Sequence, residues 1–153
     1  MNRQIERIKQ IRTFLIESIN DLSADELNEI PSGFNNNIVW NLGHLIAAQQ
    51  GVCYVRAGVK PAVDEKYIIL YKSGTKPGGF IAGNEAEIIK KLLISSLDLL
   101  QADYEDNVFA SYLLWTTRYG AELSNIDDAL QFLLFHEGLH SGSVIALKKL
   151  VKK

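Results

Sequence analysis

Residues 125–150 have the sequence NIDDALQFLLFHEGLHSGSVIALKKL. Their apolar side chains recur at intervals of three and four, which places them on one face of an α-helix. Ser124 or Asn125 is expected to cap this helix, and Asp127 and Asp128 lie in its first turn, where the helix dipole favours anions. We therefore predict a long helix over 125–150 whose apolar face is turned toward a core.

Three further segments show apolar residues at the same helical spacing and are predicted to form helices: 3–20, 36–57 and 84–105. An asparagine cluster precedes the second of these helices and Gly58 follows it, as the residue preferences of helix ends require. Asn84 is expected to cap the third, with Glu87 completing a capping box.

The connections between these helices differ in length. Residues 21–35 form a polar connection with one extra helical turn, which Pro31 should end. Residues 59–83 and 106–123 are long connections, and long ordered connections tend to be functional. We expect a short strand or a packed loop at 67–71, and an irregular aromatic segment with a short strand in 106–123. These features predict an all-α fold, a four-helix bundle with long connections after helices two and three, and argue against a simple up-down-up-down order.

The composition is that of an ordinary globular protein, and we expect a single domain over residues 1–153. The chain is 47% hydrophobic and 22% charged, with a net charge of −2. Nucleic-acid-binding domains are usually basic, so no nucleic-acid partner is expected. The N-terminus lacks the apolar core of a signal peptide, and no apolar run approaches the ~20 residues that span a bilayer. We therefore expect a cytoplasmic protein with no membrane partner.

Three histidines are the candidate functional residues of this sequence. His136 and His140 are four residues apart, so they project from one helix face, one turn apart. His44 lies on the second predicted helix beside small residues, on a face that can also turn inward. Imidazole is the commonest protein ligand for first-row metals, and three ligands with one open position characterise a catalytic zinc site. We predict that the three bind one divalent metal ion; the alternative is a set of core histidines.

The string HEGLH, residues 136–140, fits the H-E-x-x-H pattern of metalloproteases, in which the glutamate is the general base. A protease is poorly supported, because Ala146 stands where the extended pattern has its third histidine. We nevertheless predict a catalytic role for Glu137, which would orient a ligand, shuttle a proton or act as a base.

Other residues near these positions have less specific roles. Cys53 is nine residues from His44, about 2.5 turns of the helix, so it cannot share the metal and is expected in the core. Trp40 and Trp115 are also expected in the core. Asn41 lies on the side of the helix that carries His44 and is a candidate for a supporting hydrogen bond. Loop-proximal basic residues are candidates for contacts with an anionic substrate: Arg56, Lys60 and Arg118.

Two stretches resemble signatures of the DinB-like superfamily, also described as DNA-damage-inducible and YfiT-like. Residues 35–45, NNNIVWNLGHL, resemble its helix-two signature, and residues 135–142, FHEGLHSG, resemble its last-helix H-x-x-x-H-x-G signature. The spacing between the two also fits, and the resemblance covers nearly the whole chain. Ser141 departs from the arginine that many relatives carry at this position.

The resemblance implies a four-helix bundle with one metal ion, nickel or zinc, held by His44, His136 and His140. It also implies frequent homodimers and a small-molecule substrate, with activities that include thiol S-transfer and thiol-dependent isomerisation. We therefore expect a metal-dependent enzyme that transfers a low-molecular-weight thiol to small electrophiles. The alternatives are a metal-activated hydrolase, a label that many relatives carry, and a non-enzymatic metal- or ligand-binding bundle.

Overall fold

Most of the chain is helical in the computed structural model, which describes residues 1–153. In chain order the elements are α1 (Arg3–Ser18), α2 (Ala24–Asn28), α3 (Ile38–Gln49), α4 (Glu65–Tyr71), α5 (Gly83–Glu105), β1 (Trp115–Thr116), β2 (Glu122–Leu123) and α6 (Ile126–Val151). The helix α3 continues through a π-helical turn, Gln50–Tyr54, and a 3-10 turn, Val55–Ala57. The four long helices are α1, α3, α5 and α6, so the predicted all-α class is confirmed.

The long helices run in the order up, down, down, up. Helix α1 is antiparallel to α5, while α3 is parallel to α5 and antiparallel to α6. These directions follow from hydrogen-bonded pairs between the helices, namely Asn2–Gln101, Arg12–Leu93, Gln49–Ser96, Tyr54–Asp103, Asn41–His140 and His44–His136. Since α3 and α5 point the same way, the chain must return along the bundle between them, which explains the long connection that contains α4.

Side chains set the ends of two of the long helices as predicted. Asn37 caps α3 by accepting a hydrogen bond from the backbone N–H of Trp40, and Asn125 caps α6 in the same way. After α3 the helical path ends at Gly58, whose φ of 70° lies in the left-handed region that glycine adopts without strain.

The predicted cap of α5 is wrong. This helix begins at Gly83 with Ala82 at the cap position, so Asn84 lies inside the first turn. A tertiary contact fixes the start instead, because the Asn28 side chain bonds both the N–H and the C=O of Ile81.

The segment predicted as a strand or packed loop at 67–71 is the helix α4. Asp64 caps it, and Tyr67 and Tyr71, four residues apart, are both buried against the bundle. The Tyr71 ring covers Gly43 of α3 so closely that a Cβ there would come within 2.5 Å of it. Packing against α3 therefore overrides the strand preference of the local sequence.

The core lies where the four long helices meet, and Cys53 is fully buried in it, as predicted. Burial raises the pKa of the Cys53 thiol to about 12, which leaves it protonated and unreactive at neutral pH. None of the helices has both the length and the apolar character needed to cross a membrane.

Candidate metal centre

Helices α3 and α6 bring the three histidines together. One ligand nitrogen of each histidine lies within 4.8 Å of the other two. Nε2 of His44 is 3.2 Å from Nε2 of His136, and the rings of His136 and His140 are 4.4 Å apart, as their spacing of one helical turn predicts. His44 and His136 are buried and His140 is half-buried, so solvent reaches the cluster at His140.

Hydrogen bonds orient two of the three rings. Nδ1 of His44 donates to the backbone carbonyl of Tyr71 at 2.7 Å, and Nδ1 of His140 donates to Oδ1 of Asn41 at 2.8 Å. The Asn41 amide nitrogen donates to two other oxygens, which fixes its own oxygen toward His140. Since both Nδ1 atoms carry a hydrogen, both Nε2 atoms present a lone pair, the arrangement that metal-binding histidines adopt.

Burial keeps the three imidazoles neutral. It lowers the pKa of His44, and it lowers the pKa of His136 to about 3 and that of His140 to about 4, with the neighbouring histidines adding to both shifts. Nδ1 of His136 is buried without a hydrogen-bond partner, so the chain alone does not satisfy every polar atom of the cluster. Three convergent neutral imidazoles are a donor set that fits a first-row divalent metal ion such as nickel or zinc.

Trp40 belongs to this site as well as to the core in which it was predicted. Its indole stacks on His44, with ring centroids 4.8 Å apart and an angle of 10° between the planes. Its Nε1 donates to Oγ1 of Thr75. The spacing of four residues between Trp40 and His44 could have indicated this contact, whereas the Tyr71 carbonyl is a backbone atom that leaves no signal in the sequence.

The structure does not bring Glu137 to the histidine nitrogens. Its carboxylate lies in the core, where Oε1 accepts hydrogen bonds from Nε and Nη2 of Arg12 at 3.0 and 2.6 Å. Both side chains are 0% exposed, and Arg12 also donates to the Gln49 side chain. Burial raises the pKa of the Glu137 carboxyl, and the Arg12 guanidinium limits that rise. The carboxylate of Glu137, for which the sequence predicts a catalytic role, is therefore already paired with the buried Arg12.

Of the three loop-proximal cations, Arg118 is the one whose charge affects the pKa of the histidines. Burial is the main cause of the low pKa of each histidine, and the Arg118 charge lowers all three further. Arg56 instead stacks over the ring of Trp115 at 4.1 Å, and Lys60 is exposed.

Comparison with known proteins agrees with this geometry. The model of one family, the DinB superfamily, matches residues 7–144, which include all three histidines, the whole of α3 and most of α6. No curated protein matches the chain. The match covers most of the sequence, and the chain belongs to the DinB superfamily.

Proposed function

We propose that this chain is a metal-dependent enzyme that transfers a low-molecular-weight thiol to a small electrophile. The observation that carries the proposal is the convergence of three neutral imidazoles within 4.8 Å at a place that solvent reaches. A divalent ion bound there would lower the pKa of a coordinated thiol and favour its thiolate. In the net reaction, the thiol sulfur bonds to an electrophilic carbon, the leaving group departs with its electron pair, and the thiol proton passes to solvent.

The residues around the histidines would hold the imidazole rings in the orientation that metal binding requires. Trp40, the Tyr71 carbonyl and Asn41 fix the rings of His44 and His140, so little ordering remains when a metal or substrate binds. Because the imidazoles are neutral at pH 7, no proton has to leave them before they coordinate a metal.

The placement of Glu137 favours thiol transfer over hydrolysis. Attack by water requires the removal of a proton, which metal-dependent hydrolases usually assign to a nearby carboxylate. The group of mutually close ligand atoms contains His44, His136 and His140 and no carboxylate, and Glu137 is bound to Arg12. A thiol loses its proton far more readily than water does, so it can react here without such a base. A metal-activated hydrolase is the alternative to be tested alongside.

The test combines metal analysis with a reaction screen on untagged protein. Wild type, His140→Ala and Cys53→Ala would be compared for nickel and zinc content and for conjugation of glutathione, bacillithiol and mycothiol with a panel of electrophiles. Cys53→Ala is the control that removes the chain's own buried thiol.

We expect about one metal ion per chain in wild type and Cys53→Ala, and none in His140→Ala. Conjugation should require both added thiol and metal, and should stop on chelation. Metal-loaded protein that conjugates no thiol with any electrophile would overturn the proposal. Ester cleavage without thiol would favour the hydrolase, and failure to retain added metal would leave a non-enzymatic bundle.

A further inference from the structure

We propose that a cavity beside Trp40 binds a small carboxylate with an apolar body, at a site separate from the histidine cluster. The cavity lies between α3, α4 and the segment 75–81 that leads into α5, and it has a volume of about 340 Å³. None of the three histidines lines it, so the inference does not depend on the proposed function. Three observations carry it: a preformed apolar cavity, the charge of its lining, and unpaired N–H donors along one wall.

The wall that this segment forms is fixed at both ends by side-chain hydrogen bonds. At its start, the hydroxyl of Thr75 donates to the carbonyl of Lys72 at 2.8 Å and accepts from Nε1 of Trp40 at 3.2 Å. At its end, the Asn28 side chain bonds the N–H and the C=O of Ile81 at 2.7 and 2.9 Å. The cavity is therefore formed before a ligand enters it, which lowers the entropic cost of binding.

Most of the cavity lining is apolar, and part of it is exposed to solvent. Trp40 and Tyr71 are buried, whereas Ile69, Leu70 and Phe80 are 57%, 49% and 62% exposed. Exposed apolar side chains that are grouped around a cavity mark a binding site more often than scattered ones do. The volume is near the lower end of the range of small-molecule sites, about 300–1,000 Å³. A small body such as a phenyl ring with a short chain therefore suits this cavity.

The lining of the cavity carries one positive charge and no negative charge. Lys76 is its single charged residue; the side chain is exposed and forms no ion pair. The polar side chains of Asn37 and Thr75, which also line the cavity, are already hydrogen-bonded within the chain. One ammonium group without a carboxylate beside it complements a ligand with a single negative charge.

Backbone donors next to Lys76 favour a carboxylate as the charged group. The N–H groups of Lys76, Gly78, Gly79 and Phe80 donate to no acceptor in the chain. Neither glycine is required by packing or by a positive φ, because a Cβ at either position would meet no atom within 4 Å and neither lies in the left-handed region. The lack of a side chain leaves their N–H groups open to a ligand. Carboxylate oxygens accept charge-assisted hydrogen bonds from ammonium and backbone N–H groups.

The experiment compares three probes that share an apolar body and differ in charge. Binding of phenylpropanoate, phenylpropanol and phenylpropylamine to zinc-loaded and to metal-free protein would be measured by calorimetry. NMR spectra of isotope-labelled protein would locate each probe through the indole N–H of Trp40 and the amides of Gly78 and Gly79. The indole N–H of Trp115, which does not line the cavity, is the reference.

The variants test the charge at the cavity. They are Lys76→Gln, Lys76→Arg and the matched control Lys60→Gln, which removes an exposed lysine outside the lining. Phe80→Ser tests whether this surface instead pairs with a second copy of the chain, in a sedimentation experiment.

Wild type should bind the acid more tightly than the alcohol and the amine most weakly, with or without zinc. Lys76→Gln should weaken binding of the acid by about 3- to 10-fold and leave the alcohol unchanged, because the lysine is exposed and its attraction is partly screened. Lys76→Arg should restore the preference for the acid, and Lys60→Gln should keep it. The acid should shift the signals of Trp40, Gly78 and Gly79 and not that of Trp115.

Four results would overturn the inference. They are equal affinity for acid and alcohol, equal weakening of both by Lys76→Gln, signal shifts confined to residues outside the cavity, and binding of the acid only in zinc-loaded protein. A dimer that Phe80→Ser dissociates, in a protein that binds no acid, would assign the surface to a second copy and overturn it as well. Binding of the acid by metal-free protein would support the inference even if no thiol is ever conjugated.

Discussion

Loss of the Glu137 charge should destabilise this fold strongly, because it leaves Arg12 charged and unpaired in the core. Two guanidinium nitrogens reach Oε1 of Glu137 at 3.0 and 2.6 Å, and both side chains are 0% exposed. Breaking a buried ion pair by removing one partner costs about 3–5 kcal/mol. For a chain of 153 residues, each kcal/mol lowers Tm by about 2–4 °C, so Glu137→Gln should lower Tm by about 6–20 °C.

The assay is thermal and urea denaturation followed by circular dichroism at pH 7, with and without a chelator. The matched control is Glu87→Gln, which removes the exposed carboxylate paired with Lys90 and should cost less than about 1 kcal/mol. The double variant Arg12→Met/Glu137→Leu leaves no buried charge and should be more stable than Glu137→Gln alone. A Glu137→Gln protein as stable as the Glu87→Gln control would refute this reasoning. If that stable protein also kept its metal and lost turnover, the catalytic role predicted from the H-E-x-x-H pattern would be supported instead.

Three further outcomes are expected. Gly43→Ala should cost about 1–3 kcal/mol in denaturation experiments and weaken metal binding, because the new Cβ meets the Tyr71 ring whose backbone carbonyl orients a ligand. Asn41→Leu should lower metal affinity by about 10- to 100-fold in a chelator competition, since His140 loses its hydrogen bond; equal affinity would contradict the role. Metal-free protein should lose stability as pH falls from about 6.5 toward 3. In this range His136 and His140 bind protons in the unfolded chain but not in the folded chain. A flat stability profile over that range would count against the buried, neutral histidines.

The grouping of the histidines and the long helices could be predicted because their signals are local. The spacing of four between His136 and His140 fixes their common face, and the caps Asn37 and Asn125 precede apolar repeats. The helix α4 could not be predicted in this way, because its helical form depends on burial of Tyr67 and Tyr71 against a distant part of the chain. Local preference and tertiary packing disagree there, and packing decides.

The ion pair between Glu137 and Arg12 left a signal in the sequence, but the H-E-x-x-H pattern suggested a different role for Glu137. Adjacent residues in a helix point about 100° apart, so Glu137 and His136 need not face the same neighbours. On α1, Arg12 stands among the buried residues Ile8 and Leu15, and a charge within an apolar stripe requires a buried partner. The identity of that partner follows only from the way the helices assemble.

The candidate metal centre joins parts of the chain that are synthesised at different times. His44 and His136 are separated by 92 residues, and α6 leaves the ribosome after α1, α3 and α5. A metal held by these histidines would bind only the folded chain and would stabilise it by about 2.7 kcal/mol when free metal is at one hundred times its Kd. Starving cells of that metal should therefore lower the amount of this protein, because newly made chains would be exposed to proteolysis. This loss would be separate from any effect on catalysis.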